Sequence, residues 1–562
     1  MFTFSLFILI TVAAMFGGVF TLSRAQKPNT GRSRTRNPIT GDHTEFYGSQ
    51  VGGKSVINYG YTDMPLKLLM WDMRTFFTFA YALPWVVWPL KPSEDSGEFA
   101  ELSLTRGNVF CLLMHGILIA LQLTFILVII PVCVLLPVWI AALGIAGFFG
   151  VNWLVVLTLN GSSPTYTSDP KYAPALPEHA HEKWIFINGV AAGETWMLSN
   201  LNRLALTFKR PILGIHNKTT GIIFDVVECL IQRNFGYATV DVRDAYKEVK
   251  EHLYNPGLSK VVFILHSQGG IEGSMVLDWL LQELPQNLLA KLEVYTFGNA
   301  ANHFNNPHRH VESQKAEQND PSSMNIVKTP VTEAALTDSP IELKAPALSK
   351  QSSAGTRAAS NTKHAPPTPP NLETEEHRAR VSVVPAADRA IGHIEHYAHT
   401  TDFVALWGVL HFVTNEMANP LLPRFIGRVF SRTSSRGGHQ LVQHYLDGMF
   451  PLEKNAKGEF IGCKDSNEFM DSIVEHAQGG TERDDVREGI ENSWALIGGD
   501  HDSGATPEVE VRGSFREGKH HKGEMRVKDL SRLWLYRNGR SPPEMPKSLP
   551  PDSDGVVRAG TL

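Results

Sequence analysis

The residues best placed to do chemistry lie in the run Val261-Val262-Phe263-Ile264-Leu265-His266-Ser267-Gln268-Gly269-Gly270. Five apolar residues lead into a polar tip, and a helix-like segment, Ile271 to Glu283, follows at once. The pattern predicts a buried strand, a tight turn with Ser267 at its tip, and a helix. A serine held there exposes its hydroxyl in front of a helix N-terminus, an arrangement suited to attack on a carbonyl carbon. The run is close to G-x-S-x-G. Gly269 supplies the second glycine, but Leu265 stands in the first position. Strand and helix crowd together there, so a leucine needs compensating space. The plainer alternative is a strand-to-helix turn whose serine only caps the helix.

A nucleophilic serine needs a base, and the base needs an orienting carboxylate. After an elbow of this kind the chain order is Ser, then Asp or Glu, then His. Asp402, in His399-Thr400-Thr401-Asp402-Phe403-Val404, is the preferred acid; Glu395 and Asp447 are weaker candidates. Asp402 lies 135 residues beyond Ser267 (402 minus 267). About 80 of these fall in a segment too polar to fold, which restores a reasonable separation. Gly437-Gly438-His439-Gln440 precedes a helix-like run, Leu441 to Met449. The glycine pair lets an imidazole reach the serine, so His439 is the preferred base and His444 the alternative. His266 is expected to be structural, its side chain directed away from that of Ser267. One oxyanion donor is expected from the N–H of Gln268. The other is expected from the loop Asn188 to Ala191, where Gly189 and Val190 are the candidates. His393, His396 and His399, and the pair His179 and His181, lack metal-ligand spacing, so no metal or other cofactor is expected.

These residues must be carried on regular elements. Trp184 to Ile187 reads as a buried strand ahead of the Asn188 loop, and Glu194 to Phe208 as a helix. Ile212 to Ile215 is a second strand and Asn217 to Gly221 a turn. Ile222 to Gln232 and Val242 to Leu253 have helical spacing. Leu292 to Phe297 and Ile391 to Tyr397 read as strands, and Leu530 to Tyr536 as a short docking helix. Thr165 to Glu182 reads as a polar, proline-bearing linker. Strands alternating with helices predict an α/β fold with a mostly parallel sheet covered on both faces. The core comes in two parts, 184–304 and 391–540, around an insertion, 305–390. That insertion has no aromatic residue, and Pro, Ser, Thr and Ala supply 29 of the 50 residues from Pro321 to Pro370. It is read as disordered, as is the tail 541–562.

A chain of 562 residues exceeds one compact domain. Its net charge of −5 offers no electrostatic footing for nucleic acid. Four cysteines form no disulfide framework, in keeping with a reducing compartment. The stronger signal is apolar. From Gly107 to Ser168 no Asp, Glu, Lys or Arg occurs. Because one span needs about 20 residues, 109–159 is read as a transmembrane hairpin, with spans near Val109–Ile130 and Pro137–Leu159. Residues 1–22 read as a signal anchor or signal peptide, with Ser23-Arg24-Ala25 as a candidate cleavage site. The basic flank from Arg24 to Arg36 points to the cytoplasmic side. Residues 23–108 form a juxtamembrane segment in which Phe76 to Leu90 is read as interfacial. The expectation is a multi-pass protein of the endoplasmic reticulum or another endomembrane, its core on the cytosolic side. Two sequons, at Asn160 and Asn217, keep a lumenal orientation open.

Taken together, these residues resemble membrane-associated α/β-hydrolases of the lipase and serine-esterase type, particularly those of fungi. The resemblance covers roughly Trp184 to Phe450 without the insertion. It rests on Phe186-Ile187-Asn188-Gly189-Val190, Leu265 to Gly270, Tyr295-Thr296-Phe297-Gly298-Asn299-Ala300-Ala301, Thr401-Asp402-Phe403-Val404 and Gly438-His439-Gln440. The Phe-Gly-Asn strand end is also similar to lipases of the class 3 kind. The resemblance implies hydrolysis of a lipid or other acyl ester through Ser267, Asp402 and His439. Two alternatives stay open: an acyltransferase with the same triad, and a non-catalytic membrane scaffold, which the departure at Leu265 would favour.

Overall fold

The structure is a computed structural model that describes residues 42–47, 64–309, 389–414, 425–476 and 526–542. The apolar stretch 1–22, the basic flank, most of the insertion and the tail beyond residue 542 lie outside the described residues. Nine strands form one mixed sheet: β1 (His43–Tyr47), β2 (Thr165–Thr167), β3 (Glu182–Ile187), β4 (Ile212–Ile215), β5 (Lys260–His266), β6 (Leu292–Phe297), β7 (His393–His399), β8 (Arg428–Thr433) and β9 (Val474–His476). Their order is β9-β1-β8-β7-β6-β5-β3-β4-β2. The six from β4 to β8 run parallel, with β1 and β2 antiparallel to β8 and β4.

The alternation along β5 explains the two layers of helices. Val261, Phe263 and Leu265 face one apolar cluster, which contains α5 (Ile222–Phe235), α6 (Val240–Tyr254) and α7 (Gln268–Glu283). Val262 and Ile264 face the other, with α4 (Glu194–Phe208) and the segment Leu441–Leu446. Both faces are apolar because a parallel strand is covered on both sides. From β3 the chain moves outward to β4, then returns past β3 to β5 and continues the other way. The order therefore reverses between β3 and β5, where a crevice forms at the carboxyl ends of the strands. The register aligns Ile187 with Leu265, and His266 with Phe297. The loops after β3, β5 and β6 thus meet at that crevice.

Three expectations need correction. The linker Thr165 to Glu182 contains β2 and the first residue of β3. The insertion is narrower than 305–390, because Asn305, Asn306, His308 and Ala390 are buried. Asn306 bonds both the N–H and the C=O of Ile391 (2.8 and 3.0 Å), and Asn305 donates to Asp278 (2.6 Å). These polar side chains order the backbone without apolar residues. Finally, the first helix of the hairpin runs on past the expected end of its span at Ile130, with Pro131 inside it, and stops at Leu135.

The hairpin consists of α2 (Arg106–Leu135) and α3 (Val138–Asn160), each long and apolar enough to cross a membrane. Its inner face is not uniformly apolar. Asn108, His115 and Gln122 recur every seven residues, so they share one side of α2. All three are buried against the core. Trp196 Nε1 donates to Asn108 (3.0 Å), His115 Nε2 meets the Ala191 carbonyl (2.8 Å), and Gln122 Nε2 donates to the Thr220 carbonyl (2.8 Å). Asn160, from α3, donates to Thr219 O and accepts from its N–H. Asn160 and Asn217, the two sequon asparagines, are buried and hydrogen-bonded. Upstream, α1 (Pro65–Phe79) runs into a tighter turn, Ala80–Val86. One side of α1 is fixed by Asp72, which pairs with buried Arg233 (2.5 Å). Trp71 and Phe77 remain exposed.

Candidate active site

Ser267 occupies the turn between β5 and α7 with φ 57° and ψ −120°, a backbone conformation L-residues rarely adopt. Three hydrogen bonds hold it there. Its N–H donates to Phe297 O (3.1 Å), and its carbonyl accepts from Gly270 N–H (3.0 Å) and Ala300 N–H (3.2 Å). The space that Leu265 needs comes from α7. A Cβ at Gly273 would collide with the Leu265 side chain, so a glycine one turn into the helix accommodates the missing glycine of the strand. Leu265 is fully buried.

His439 and Asp402 converge on Ser267 from the loop ahead of Leu441–Leu446 and from the end of β7. His439 Nε2 lies 2.9 Å from Ser267 Oγ, and His439 Nδ1 lies 3.0 Å from Asp402 Oδ2. A proton on Nδ1 donated to Asp402 leaves Nε2 to accept from the serine hydroxyl. Asp402 Oδ1 accepts from Val404 N–H (2.7 Å), and Oδ2 also accepts from the Tyr445 hydroxyl (2.6 Å). Burial pushes the Asp402 carboxyl up. The neighbouring His439 and these hydrogen bonds outweigh it and hold the group below its ordinary value.

The other titratable candidates lie elsewhere. His444 accepts from Gln440 N–H (2.9 Å) and reaches Trp88 O through Nε2 (3.1 Å). It thereby ties the His439 segment to the juxtamembrane segment. Glu395 bonds His393 and Tyr397, while Asp447 meets Arg203 and Ser96. His266 departs from expectation. It stacks on His439 with ring centroids 4.9 Å apart, and its Nε2–H donates to the His439 carbonyl (2.9 Å). Burial, aided by His439, lowers His266 to about 3, so it stays neutral. His266 and Tyr445 are the site residues that sequence reasoning missed. Adjacency to Ser267 was the only signal for His266, and Tyr445 had none.

The loop after β3 closes over the serine. A Cβ at Gly189 would collide with Ser267, so glycine permits this approach. Asn188 pins the loop to the end of β4 by accepting from Asn217 N–H (3.0 Å) and donating to Asn217 O (2.8 Å). Ala191 N–H is taken by Asp225 (2.9 Å). The N–H groups of Val190 and Gln268 meet no acceptor among the described residues. The Gln268 side chain is turned inward, accepting from Asn217 (2.9 Å) and donating to Gln232 (3.0 Å).

Behind Gln268 lies a group of carboxylic acids. Burial pushes Glu228 up to about 8 and Asp241 to about 6, and raises Glu272 well above its ordinary value. Among the described residues no group of three or more His, Cys, Asp or Glu side chains is arranged to hold a metal ion. No family model matches the chain, and no curated protein or solved structure is significantly similar to it.

Proposed function

We propose that this chain is a serine hydrolase of the α/β-hydrolase kind that cleaves an acyl ester, with a membrane lipid as the substrate class. The observation that carries the reading is the unbroken chain of hydrogen bonds from Ser267 through His439 to Asp402 at the crevice between β3 and β5. His439 takes the serine proton as Oγ attacks the carbonyl carbon. Asp402 orients the imidazole and offsets its positive charge. Val190 and Gln268 N–H groups are the donors available to the oxyanion. His439 returns the proton to the leaving alcohol, and water then cleaves the acyl-enzyme by the same route in reverse. The hairpin beside the crevice supports a lipid ester, and the motif order resembling class 3 lipases agrees with it.

A fluorophosphonate probe tests this directly. The detergent-solubilised full-length protein should be labelled, and Ser267→Ala should abolish labelling. Labelling that survives the substitution would place the reactive serine elsewhere. Absence of labelling in the parent protein would favour the scaffold reading.

A further inference from the structure

The hairpin has two unlike halves. Its base is bound to a polar loop of the core. Gln122 and Asn152 both donate to the Thr220 carbonyl, and Asn160 bonds Thr219 in both directions. A loop that carries several unpaired backbone groups together with polar side chains is not tolerated in contact with lipid hydrocarbon. The level of Gln122 and Asn152 is therefore at the bilayer surface and not at its middle. Beyond that level α2 continues from Leu123 to Leu135, 13 residues. At 1.5 Å per residue this is about 20 Å, against a hydrocarbon core of about 30 Å.

The tip has the composition that such a depth requires. Residues Val132-Cys133-Val134-Leu135-Leu136-Pro137-Val138-Trp139-Ile140 contain no charged, amide or hydroxyl side chain. Val134, Leu135 and Val138 are each more than three-quarters exposed. A turn that emerged into water on the far side would present this surface to solvent. A turn that ends among acyl chains presents it to lipid. The turn itself is a single link between two helices: Leu136 N–H bonds Val132 O (3.1 Å), and Ile140 and Ala141 N–H bond Pro137 O (2.9 and 3.1 Å), so the unpaired backbone groups of the tip are confined to the two helix ends.

A second apolar footing stands beside the crevice. Trp85 and Trp88 are exposed, and their backbone carbonyls touch Gly438 and His444, on either side of His439 and Gln440. Tryptophan favours headgroup level. We propose that α2 and α3 form a wedge that enters the bilayer from one side and ends within its hydrocarbon. The bound base of the wedge and the Trp85–Trp88 segment then hold the strand ends against the lipid surface. This replaces two complete spans with one partial insertion. It rests on the hydrolase reading only in making an ester at headgroup depth the substrate.

Cys133 provides the test, because Cys111, Cys229 and Cys463 are buried. Full-length protein is reconstituted into sealed phosphatidylcholine vesicles. A membrane-impermeant maleimide is offered outside the vesicles or trapped inside them. Cys133 should remain unlabelled in both cases and react within minutes once detergent is added. Labelling by trapped reagent alone means that the tip crosses. Labelling by external reagent alone means that the hairpin does not insert. Either result overturns the wedge. Should Cys133 fail to react even in detergent, Val134→Cys in a Cys133→Ser background answers the same question. A bimane at that position should be quenched several-fold more by lipids brominated in mid-chain than by lipids brominated near the headgroup. The labelling needs no activity, so an inactive protein with a protected Cys133 would refute the hydrolase reading and leave the wedge standing.

Discussion

Carboxylic acids flank Ser267 on both sides, and their environments divide them. On the His439 side, Asp402 is fully buried and yet held below its ordinary value, because an imidazole and two further donors surround it. On the Gln268 side, Glu228 and Glu272 are buried among other acids, and burial raises both. Around neutral pH this gives a negative charge beside His439, whereas behind Gln268 the Glu228 carboxyl, at about 8, is protonated while Asp241, at about 6, is largely ionised. The difference is energetically useful. Two unit charges about 6 Å apart interact by roughly 3 kcal/mol at an effective dielectric near 20. Reversing the two environments would oppose both developing charges. The same functional group is thus shifted in opposite directions at Asp402 and Glu228 by what packs around it.

The most severe way to break this contrast is Asp402→Asn. The amide keeps the shape but cannot offset an imidazolium, and it favours the wrong imidazole tautomer. Ester hydrolysis should fall by about 10³–10⁴-fold, as for equivalent changes in other serine triads. Initial rates with a p-nitrophenyl ester measure it; a loss below tenfold would remove Asp402 from the triad. Tyr445→Phe is a milder test of the same side. It deletes one donor to Asp402 and leaves the ring in place. A hydrogen bond to a charged group contributes about 1.5–3 kcal/mol, so kcat should drop about tenfold or somewhat more, with KM nearly unchanged. The substitution also weakens what depresses Asp402. That group stabilises the fold above its unfolded value and loses the contribution as pH falls through its folded value. The variant should therefore lose acid stability at a higher pH than the parent. Denaturant melts between pH 7 and 3 show this shift, and identical acid limbs would mean that Tyr445 does not act on Asp402.

The two sides were not equally legible in the sequence. Ser267 announced itself because five apolar residues and a double glycine bracket it. Asp402 and His439 followed from chain order, once the segment without aromatic residues was set aside. The central strands were legible for the same reason, since a strand buried on both faces is a continuous apolar run. β1, β8 and β9 are short and mix polar with apolar residues, so no run marks them. Leu265 looked like a defect because its remedy, Gly273, lies eight residues later on a helix; only packing connects them. The direction of His266 was misjudged, because an alternating strand face was extended into a turn where φ changes sign. The acids behind Gln268 fall on three helices. Their spacing matches ordinary helical faces, and nothing in the sequence distinguishes a buried Glu228 from a solvated one.

Glu228 also provides the subtlest test of the comparison. Its folded value, about 8, lies well above the ordinary 4.5. A group raised in this way supports the fold fully below 4.5, and the contribution is lost as pH rises through 8, because the folded chain must then bury a charge. Glu228→Gln removes that liability and keeps an acceptor for Gln232 and Gln268. The variant should match the parent near pH 4.5. It should then gain on the parent as pH rises to about 8 and hold a constant advantage of a few degrees in Tm above that. Ester hydrolysis at pH 7 should stay within about threefold of the parent, since the acid is already protonated there. At pH 9 the parent carries the additional Glu228 charge behind the Gln268 N–H, so the variant should be the faster of the two. Equal rates at pH 9 would mean that charge on this side of Ser267 does not reach the oxyanion, and the contrast with Asp402 would then concern stability alone.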